Sequence, residues 1–312
     1  MNPLHPAGLA AALPGERIGI TGRAGRLVLY AAGEGPALLL IHSINAAASA
    51  AEVRPLAAHF AASRRVFSLD LPGFGLSERS DRHYSPRLMT DAVLAAVEEV
   101  RRQTGGAAVD ALALSLSSEF LSRAAVEAPA AFRSLALVSP TGFSGRGRPL
   151  RGPPGASRGK PWIYRLLRGP GWGRSLYRGL TRPAVIRYFL RRTWGSDAID
   201  ETLWRYDIQT ARQPGAEFAP LYFLSGELFS ADIHTVYESL SLPVWLSHGV
   251  RGDFTDYSAS ARVAGRPNWR ISVYPTGALP HFEVPAQFCA DYAAWLADPA
   301  DAPGFSRQAA GT

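Results

Sequence analysis

Short apolar runs alternate with helical patterns through the first half of the chain. Buried strands are expected at residues 26–33, 37–43, 64–72, 109–115 and 134–140. Each run is bounded by glycine, proline or polar clusters, as strands inside a sheet usually are. Because strand and helix alternate, the pattern predicts an α/β fold with a mostly parallel, doubly wound sheet that helices cover on both faces.

The clearest helix begins at Ser85 and Pro86, which are a favoured cap and a favoured first-turn residue. Apolar residues then recur at helical spacing, with charged residues on the other side. Further helices are expected at 50–62, 119–128, 256–264 and 285–297.

The alternation stops after residue 143. Residues 144–160 are rich in glycine, proline and arginine, as loops are, and the pattern from Trp162 to about Ser239 is helical. Strand patterns return at 242–249 and 269–277. We therefore expect one core domain formed by residues 1–143 and 241–312, with a helical, arginine-rich cap inserted at residues 144–240.

Positive charge is concentrated in one segment. The 312-residue chain has a net charge of +7, yet residues 144–192 alone hold 13 Lys or Arg and no Asp or Glu. Arginines and aromatic residues alternate there, which suits an anionic ligand or a membrane surface. The alternative is a cap whose arginines simply face water. No nucleic-acid-binding motif is present, so no nucleic-acid partner is expected.

Several other classes are excluded or disfavoured by composition. The single cysteine, Cys289, cannot form an internal disulfide or a cysteine metal cluster, and no cofactor is expected. Pro6 and Pro14 interrupt the first apolar stretch, which lacks a basic start, and no apolar run reaches the ~18 residues of a membrane-spanning helix. We expect a cytoplasmic protein.

Six motifs in chain order resemble the α/β-hydrolase fold with a helical cap. They are LLLIHS, FSLDLPGFGLSERS, ALALSLSS, SLALVSPTG, PVWLSHGVRGDF and PTGALPHFEVP, and the resemblance covers roughly residues 16–297. It implies a nucleophile, an acid and a histidine, in that order along the chain, at the ends of successive strands.

The family's G-x-S-x-G signature falls on residues 113–117, where Ala113 and Ser117 replace the glycines. Both are small enough for the close approach of strand and helix at a nucleophile elbow. The resemblance makes Ser115 the nucleophile, in a strained conformation that costs ~1–3 kcal/mol, and the Leu116 N–H an oxyanion donor. Alternatively, the serines here merely cap a helix that follows a buried strand.

By resemblance, the second oxyanion donor is the Ile44 N–H, which follows His42 and Ser43. Ser43 stands where the family has a permissive glycine. We expect His42 to hold this loop rather than to move protons.

Asp253 follows a strand end and a glycine turn, where the family places its triad acid. Asp256 is the alternative acid. A structural interpretation, in which Asp253 only begins the next helix, stays open.

The histidine motif G-H-x-P-x-x-E-x-P maps onto residues 277–285, so Ala278 occupies the histidine position. Alanine transfers no proton. His281 lies three positions later, displaced by ~5 Å in a helix or ~10 Å in an extended chain, and acts as a base only if the loop turns it inward. His234 and His248 are weaker candidates.

Two functions are favoured, and non-hydrolytic chemistry in the same pocket stays open as a third. The first is a serine hydrolase acting on an ester, thioester or lactone with an apolar acyl part, with Ser115, Asp253 and His281 as catalytic residues. The second is a catalytically impaired relative that binds a ligand or partner and lacks the usual histidine. Dehalogenase and epoxide hydrolase chemistry is disfavoured, because those relatives need aspartate at position 115.

Overall fold

The computed structural model describes residues 8–145, 149–169 and 172–299, and it contains one eight-stranded sheet in the order β1-β2-β4-β3-β5-β6-β7-β8. The strands are β1 Glu16–Gly22, β2 Gly25–Ala32, β3 Ala37–Ile41, β4 Arg65–Asp70, β5 Val109–Leu114, β6 Phe132–Val138, β7 Val244–Gly249 and β8 Trp269–Tyr274. The pairs β1/β2 and β2/β4 are antiparallel, and all the others are parallel. The predicted mostly parallel α/β sheet is confirmed.

Most residues of the central strands are buried, as expected for parallel strands covered on both faces. Every residue of β3, β5 and β7 is buried. The seven predicted strands agree with the structure to within a few residues. The edge strand β1 was not predicted, because it is half-exposed and has no continuous apolar run.

Helices cover both faces of the sheet, which confirms the doubly wound prediction. The core-domain helices are α1 Arg54–Phe60, α2 Pro86–Gln103, α3 Ser117–Glu127, α10 Ala261–Ala264, α11 Pro280–Glu283 and α12 Pro285–Ala297. Helices α2 and α3 pack on one face, whereas α1 and α12 pack on the other. The Ser85 side chain accepts the Leu88 N–H, and Pro86 opens α2, so the predicted helix start is confirmed.

Among the described residues, six helices lie between β6 and β7, in the segment predicted to be helical. They are α4 Pro161–Leu167, α5 Gly173–Leu180, α6 Pro183–Trp194, α7 Glu201–Ala211, α8 Phe218–Leu224 and α9 Ile233–Ser239. The arginine-rich stretch therefore spans α4, α5 and α6 and the loop before them.

The loops that follow β3, β5, β6, β7 and β8 leave the sheet from the carboxyl ends of parallel strands, which is where ligands bind in open α/β sheets. Ser115, Asp253 and His281 lie in these loops or directly after them. In the described part of the chain, no helix is both long enough and apolar enough to cross a membrane.

Candidate active site

Ser115 occupies the turn between β5 and α3 in a left-handed backbone conformation, with φ of 50°. Among the described residues, Ser139 is the only other non-glycine residue with positive φ. This conformation costs a non-glycine residue about 1–2 kcal/mol, so the surrounding structure must enforce it. The Ser115 N–H donates to the Val138 carbonyl at 2.8 Å, which fixes the turn against β6. The sharp strand-to-helix elbow is therefore present without glycines.

Two backbone amides near this elbow have no partner within residues 8–145, 149–169 and 172–299. Neither the Ile44 N–H nor the Leu116 N–H has a hydrogen-bond partner among the described residues, although both residues are buried. Ile44 follows β3 and Leu116 follows β5, and these strands are neighbours with Ile41 opposite Ala113. Buried amides are nearly always paired, so two unpaired ones are available to a ligand oxygen.

Glu52 holds the loop that carries Ile44. Its buried carboxylate accepts the Ser43 N–H at 2.7 Å and the Asn45 side-chain amide at 2.6 Å. Asn45 in turn accepts the Ala47 N–H at 2.7 Å. Ser43 does not have positive φ, so serine replaces the family's glycine without backbone strain. No local pattern marks this role, because Glu52 lies inside a stretch with ordinary helical composition.

His42 also holds the loop, as expected. Its Nε2 accepts the Leu71 N–H at 3.0 Å, and its Nδ1 therefore carries the proton and donates to the Ser43 carbonyl at 2.6 Å. With both nitrogens engaged, the imidazole is a neutral structural link between two loops.

Asp253 lies in the loop after β7 and is paired with α6 of the cap. Its carboxylate oxygens lie 2.5 and 2.6 Å from the Arg192 guanidinium, and its N–H donates to the Arg192 carbonyl at 3.1 Å. The alternative acid, Asp256, accepts hydrogen bonds from Ser144 and Ser258, which hold its pKa well below the usual range. No histidine among the described residues contacts either carboxylate.

His281 lies in α11 with its ring fully buried. Its Nε2 lies 2.8 Å from the Glu52 backbone carbonyl, and because a carbonyl can only accept, this nitrogen carries the proton. Burial lowers the pKa of the imidazole to about 4. Its Nδ1 has no partner among the described residues, and the ring lies beside Phe282 and Phe288. Hydrogen bonds do not join Ser115, Asp253 and His281 in this conformation.

Ala278, at the family's histidine position, is packed against the end of α6. Its N–H donates to the Thr193 carbonyl at 2.9 Å, and its own carbonyl accepts the Ser139 hydroxyl at 2.7 Å. A Cβ on the preceding Gly277 would lie 2.4 Å from the Thr193 and Trp194 carbonyl oxygens. The cap backbone therefore contacts this loop directly.

The two remaining histidine candidates are engaged elsewhere. His234 Nδ1 accepts the Leu150 N–H at 2.5 Å, so its Nε2 donates to the Gly142 carbonyl at 2.6 Å. His248 Nδ1 donates to the Gly249 carbonyl at 2.9 Å, and the ring stacks on Tyr257. Burial lowers the pKa of both imidazoles.

Residues 36–189 match the family described as alpha/beta hydrolase fold. No curated protein sequence matches the chain.

Many solved structures share the fold. Carboxylesterase CesB from Bacillus subtilis is similar with a TM-score of 0.65 at 17% identity, covering 91% of this chain and 92% of that one. A serine hydrolase involved in carbazole degradation gives 0.68 at 15% identity, covering 90% and 99%. N-formylmaleamic acid deformylase from Pseudomonas putida gives 0.63 at 21% identity, covering 88% and 98%. At these identities the likeness establishes the fold.

Proposed function

Because the chain belongs to the α/β-hydrolase fold superfamily, we propose that it is a hydrolase that cleaves an ester, thioester or lactone with an apolar acyl part through Ser115. The observation that carries this proposal is the strained Ser115 elbow beside two unpaired backbone amides. Strain of this kind persists where the surrounding structure holds it, and it concentrates at functional sites.

In the proposed reaction, the Ser115 hydroxyl oxygen attacks the substrate carbonyl carbon and loses its proton to a base. The carbonyl oxygen takes up negative charge, and the amides of Ile44 and Leu116 donate to it. One such donor contributes about 10²–10³-fold to the rate. Collapse of the tetrahedral intermediate expels the alcohol or thiol with a proton, and water then releases the acid from the acyl-enzyme.

The proposed base and acid, His281 and Asp253, rest on the resemblance in sequence. To act, His281 must exchange its contact with the Glu52 carbonyl for one with Ser115. Asp253 must likewise exchange Arg192 for the imidazole. An imidazole with a pKa of about 4 is a weak base at neutral pH, so the same movement must also expose the ring to solvent or bring it near a carboxylate.

A fluorophosphonate probe tests the nucleophile, with the labelled residue identified by peptide mass spectrometry. We expect wild-type protein to be labelled at Ser115 and the Ser115→Ala variant to be unlabelled. Ser139→Ala is the matched control, because Ser139 is the other serine with positive φ and lies after the neighbouring strand. It should keep the label.

The same experiment separates the two candidate functions. If folded wild-type protein takes up no label, the hydrolase proposal is wrong, and the ligand-binding alternative motivated by Ala278 replaces it. If the His281→Gln variant is still labelled at Ser115, Ser115 is supported as the nucleophile and His281 is not the base.

A further inference from the structure

An open cleft of ≈ 540 Å³ lies in the cap, and its lining does not include Ser115. One wall is α5 with the start of α6, and the other is the loop between α7 and α8. Its lining includes Arg174, Arg178, Arg182, Arg212, Tyr177 and Glu217. Four arginines and one glutamate give this lining a formal charge of +3.

Three of the four guanidinium groups have no partner in the part of the chain that the structure describes. Arg174 contacts the Glu217 carboxylate at 3.0 Å. Arg178, Arg182 and Arg212 have no hydrogen-bond or ion-pair partner for their side chains among the described residues, and all three are exposed. Elsewhere in the cap, Arg187 and Arg192 each pair with a carboxylate. The cleft therefore gathers like charges that the protein itself does not neutralise.

The spacing of the arginines places them along one wall. Arg174 and Arg178 are four residues apart on α5, so they share a helix face, and Arg182 follows four residues later at the start of α6. Arg212 ends α7 on the opposite wall. Guanidinium groups on two facing walls can donate to several oxygens of one anion.

Both walls are attached to the core domain. The buried Tyr177 donates its hydroxyl to the Ala46 carbonyl at 2.9 Å, in the loop that carries Ile44. On the opposite wall, Arg79 donates to the Thr210 carbonyl at 2.9 Å and to its hydroxyl at 2.6 Å. These contacts hold the backbone of both walls in place, so an anion would meet a preformed cleft.

We propose that this cleft binds a phosphate group, either of a soluble phosphate compound or of a phospholipid head group. A multiply charged anion satisfies a lining of +3 better than a single carboxylate does, and arginine is the side chain best suited to phosphate oxygens. The proposal does not depend on Ser115 being a nucleophile.

Calorimetric titration with pyrophosphate tests the soluble ligand, on wild-type protein and on Arg178→Glu, Arg182→Glu and Arg212→Glu. The matched control is Arg165→Glu, which makes the same charge change at an exposed cap position outside the cleft. We expect each cleft variant to weaken binding by about tenfold or more, and the control to stay within about threefold of wild type. Equal weakening in the control would show general charge attraction and would overturn the proposal.

Co-sedimentation with vesicles tests the lipid source, using phosphatidylglycerol in phosphatidylcholine against phosphatidylcholine alone. Binding to the anionic vesicles that is lost in Arg178→Glu and kept in Arg165→Glu identifies a head group as the ligand. Vesicle binding lost only in Arg165→Glu would place the lipid contact on α4 and reject the lipid source. Wild-type protein that binds neither pyrophosphate nor anionic vesicles would refute the site.

Discussion

His281 and Glu52 are joined by a hydrogen bond of 2.8 Å from the imidazole Nε2 to the backbone carbonyl, across 229 positions of the sequence. The carboxylate of the same glutamate accepts the Ser43 amide. One residue, in the short 3₁₀ helix Ala50–Val53, therefore fixes both the proposed base and the loop with a proposed oxyanion donor. Any movement that turns His281 toward Ser115 must begin by breaking this link.

Replacing Glu52 should loosen that loop. We expect Glu52→Ala to lower the free energy of unfolding by about 3 kcal/mol, because two donors lose a charged, buried acceptor. Urea denaturation followed by circular dichroism measures this. Glu98→Ala, an exposed glutamate on α2, is the control and should change stability by less than about 0.5 kcal/mol. If both variants lower the free energy of unfolding equally, Glu52 does not hold the loop that carries Ile44.

Burial of His281 should make stability depend on pH. The pKa of the imidazole is about 4 in the folded protein and 6.5 unperturbed, so between these values the unfolded chain binds more protons. This contribution is complete above pH 6.5 and is lost as the pH falls toward 4, a change of about 3 kcal/mol. Denaturation from pH 7 to 4 should show a steeper loss for wild type than for His281→Gln.

The exposed His83 supplies the comparison for that series. The His83→Gln variant should lose stability as steeply as wild type does when the pH falls from 7 to 4. If the His281→Gln variant shows the same steep pH dependence, the His281 ring is not buried in its neutral form.

The strained backbone at Ser115 predicts an unusual ranking of variants. Because glycine adopts φ of 50° without steric cost and alanine does not, Ser115→Gly should be more stable than Ser115→Ala by about 1 kcal/mol. At an ordinary helix or strand position the order would be the reverse. Thermal unfolding of both variants checks this, and a more stable alanine variant would mean that the left-handed turn is absent.

The pair formed by Arg192 and Asp253 distinguishes a catalytic carboxylate from a structural one. If Asp253 orients the imidazole, Asp253→Asn should slow fluorophosphonate labelling by about 10²-fold or more, since the amide cannot stabilise an imidazolium. Arg192→Gln breaks the same ion pair but leaves the carboxylate in place, and should change the rate by no more than about threefold. If both variants change the labelling rate equally, Asp253 serves only as a contact to the cap.

The core of the fold could be predicted because local signals were strong. Buried parallel strands form continuous apolar runs, and the Ser85-Pro86 start of α2 is a local capping signal, so both could be read from adjacent residues. Strand β1 could not be predicted, because Ile18 and Ile20 are its only large apolar residues and the strand lies on a half-exposed edge of the sheet. Its place in the sheet depends on pairing with β2, which no local pattern encodes.

The elbow was predictable for the same reason, since Ser115 follows a strand and precedes a helix. The contacts that surround it were not. Glu52 meets His281, and Arg192 meets Asp253, across long stretches of chain that only the tertiary fold brings together. Glu52 lies in a helical stretch and Arg192 lies among many other arginines. No local sequence pattern therefore indicates which residues they contact.

At the carboxyl end of α6, two main-chain hydrogen bonds attach the cap to the loops after β7 and β8: the Asp253 N–H donates to the Arg192 carbonyl, and the Ala278 N–H donates to the Thr193 carbonyl. The two bonds themselves do not depend on side-chain identity, but a Cβ on Gly277 would lie 2.4 Å from the Thr193 and Trp194 carbonyl oxygens. This junction therefore tolerates neither a larger residue at position 277 nor a change in helix length. Chimeras that exchange caps between family members should therefore transfer residues 192–195 together with the loops that end in Asp253 and Ala278. A graft whose boundary falls between these segments would break both main-chain hydrogen bonds.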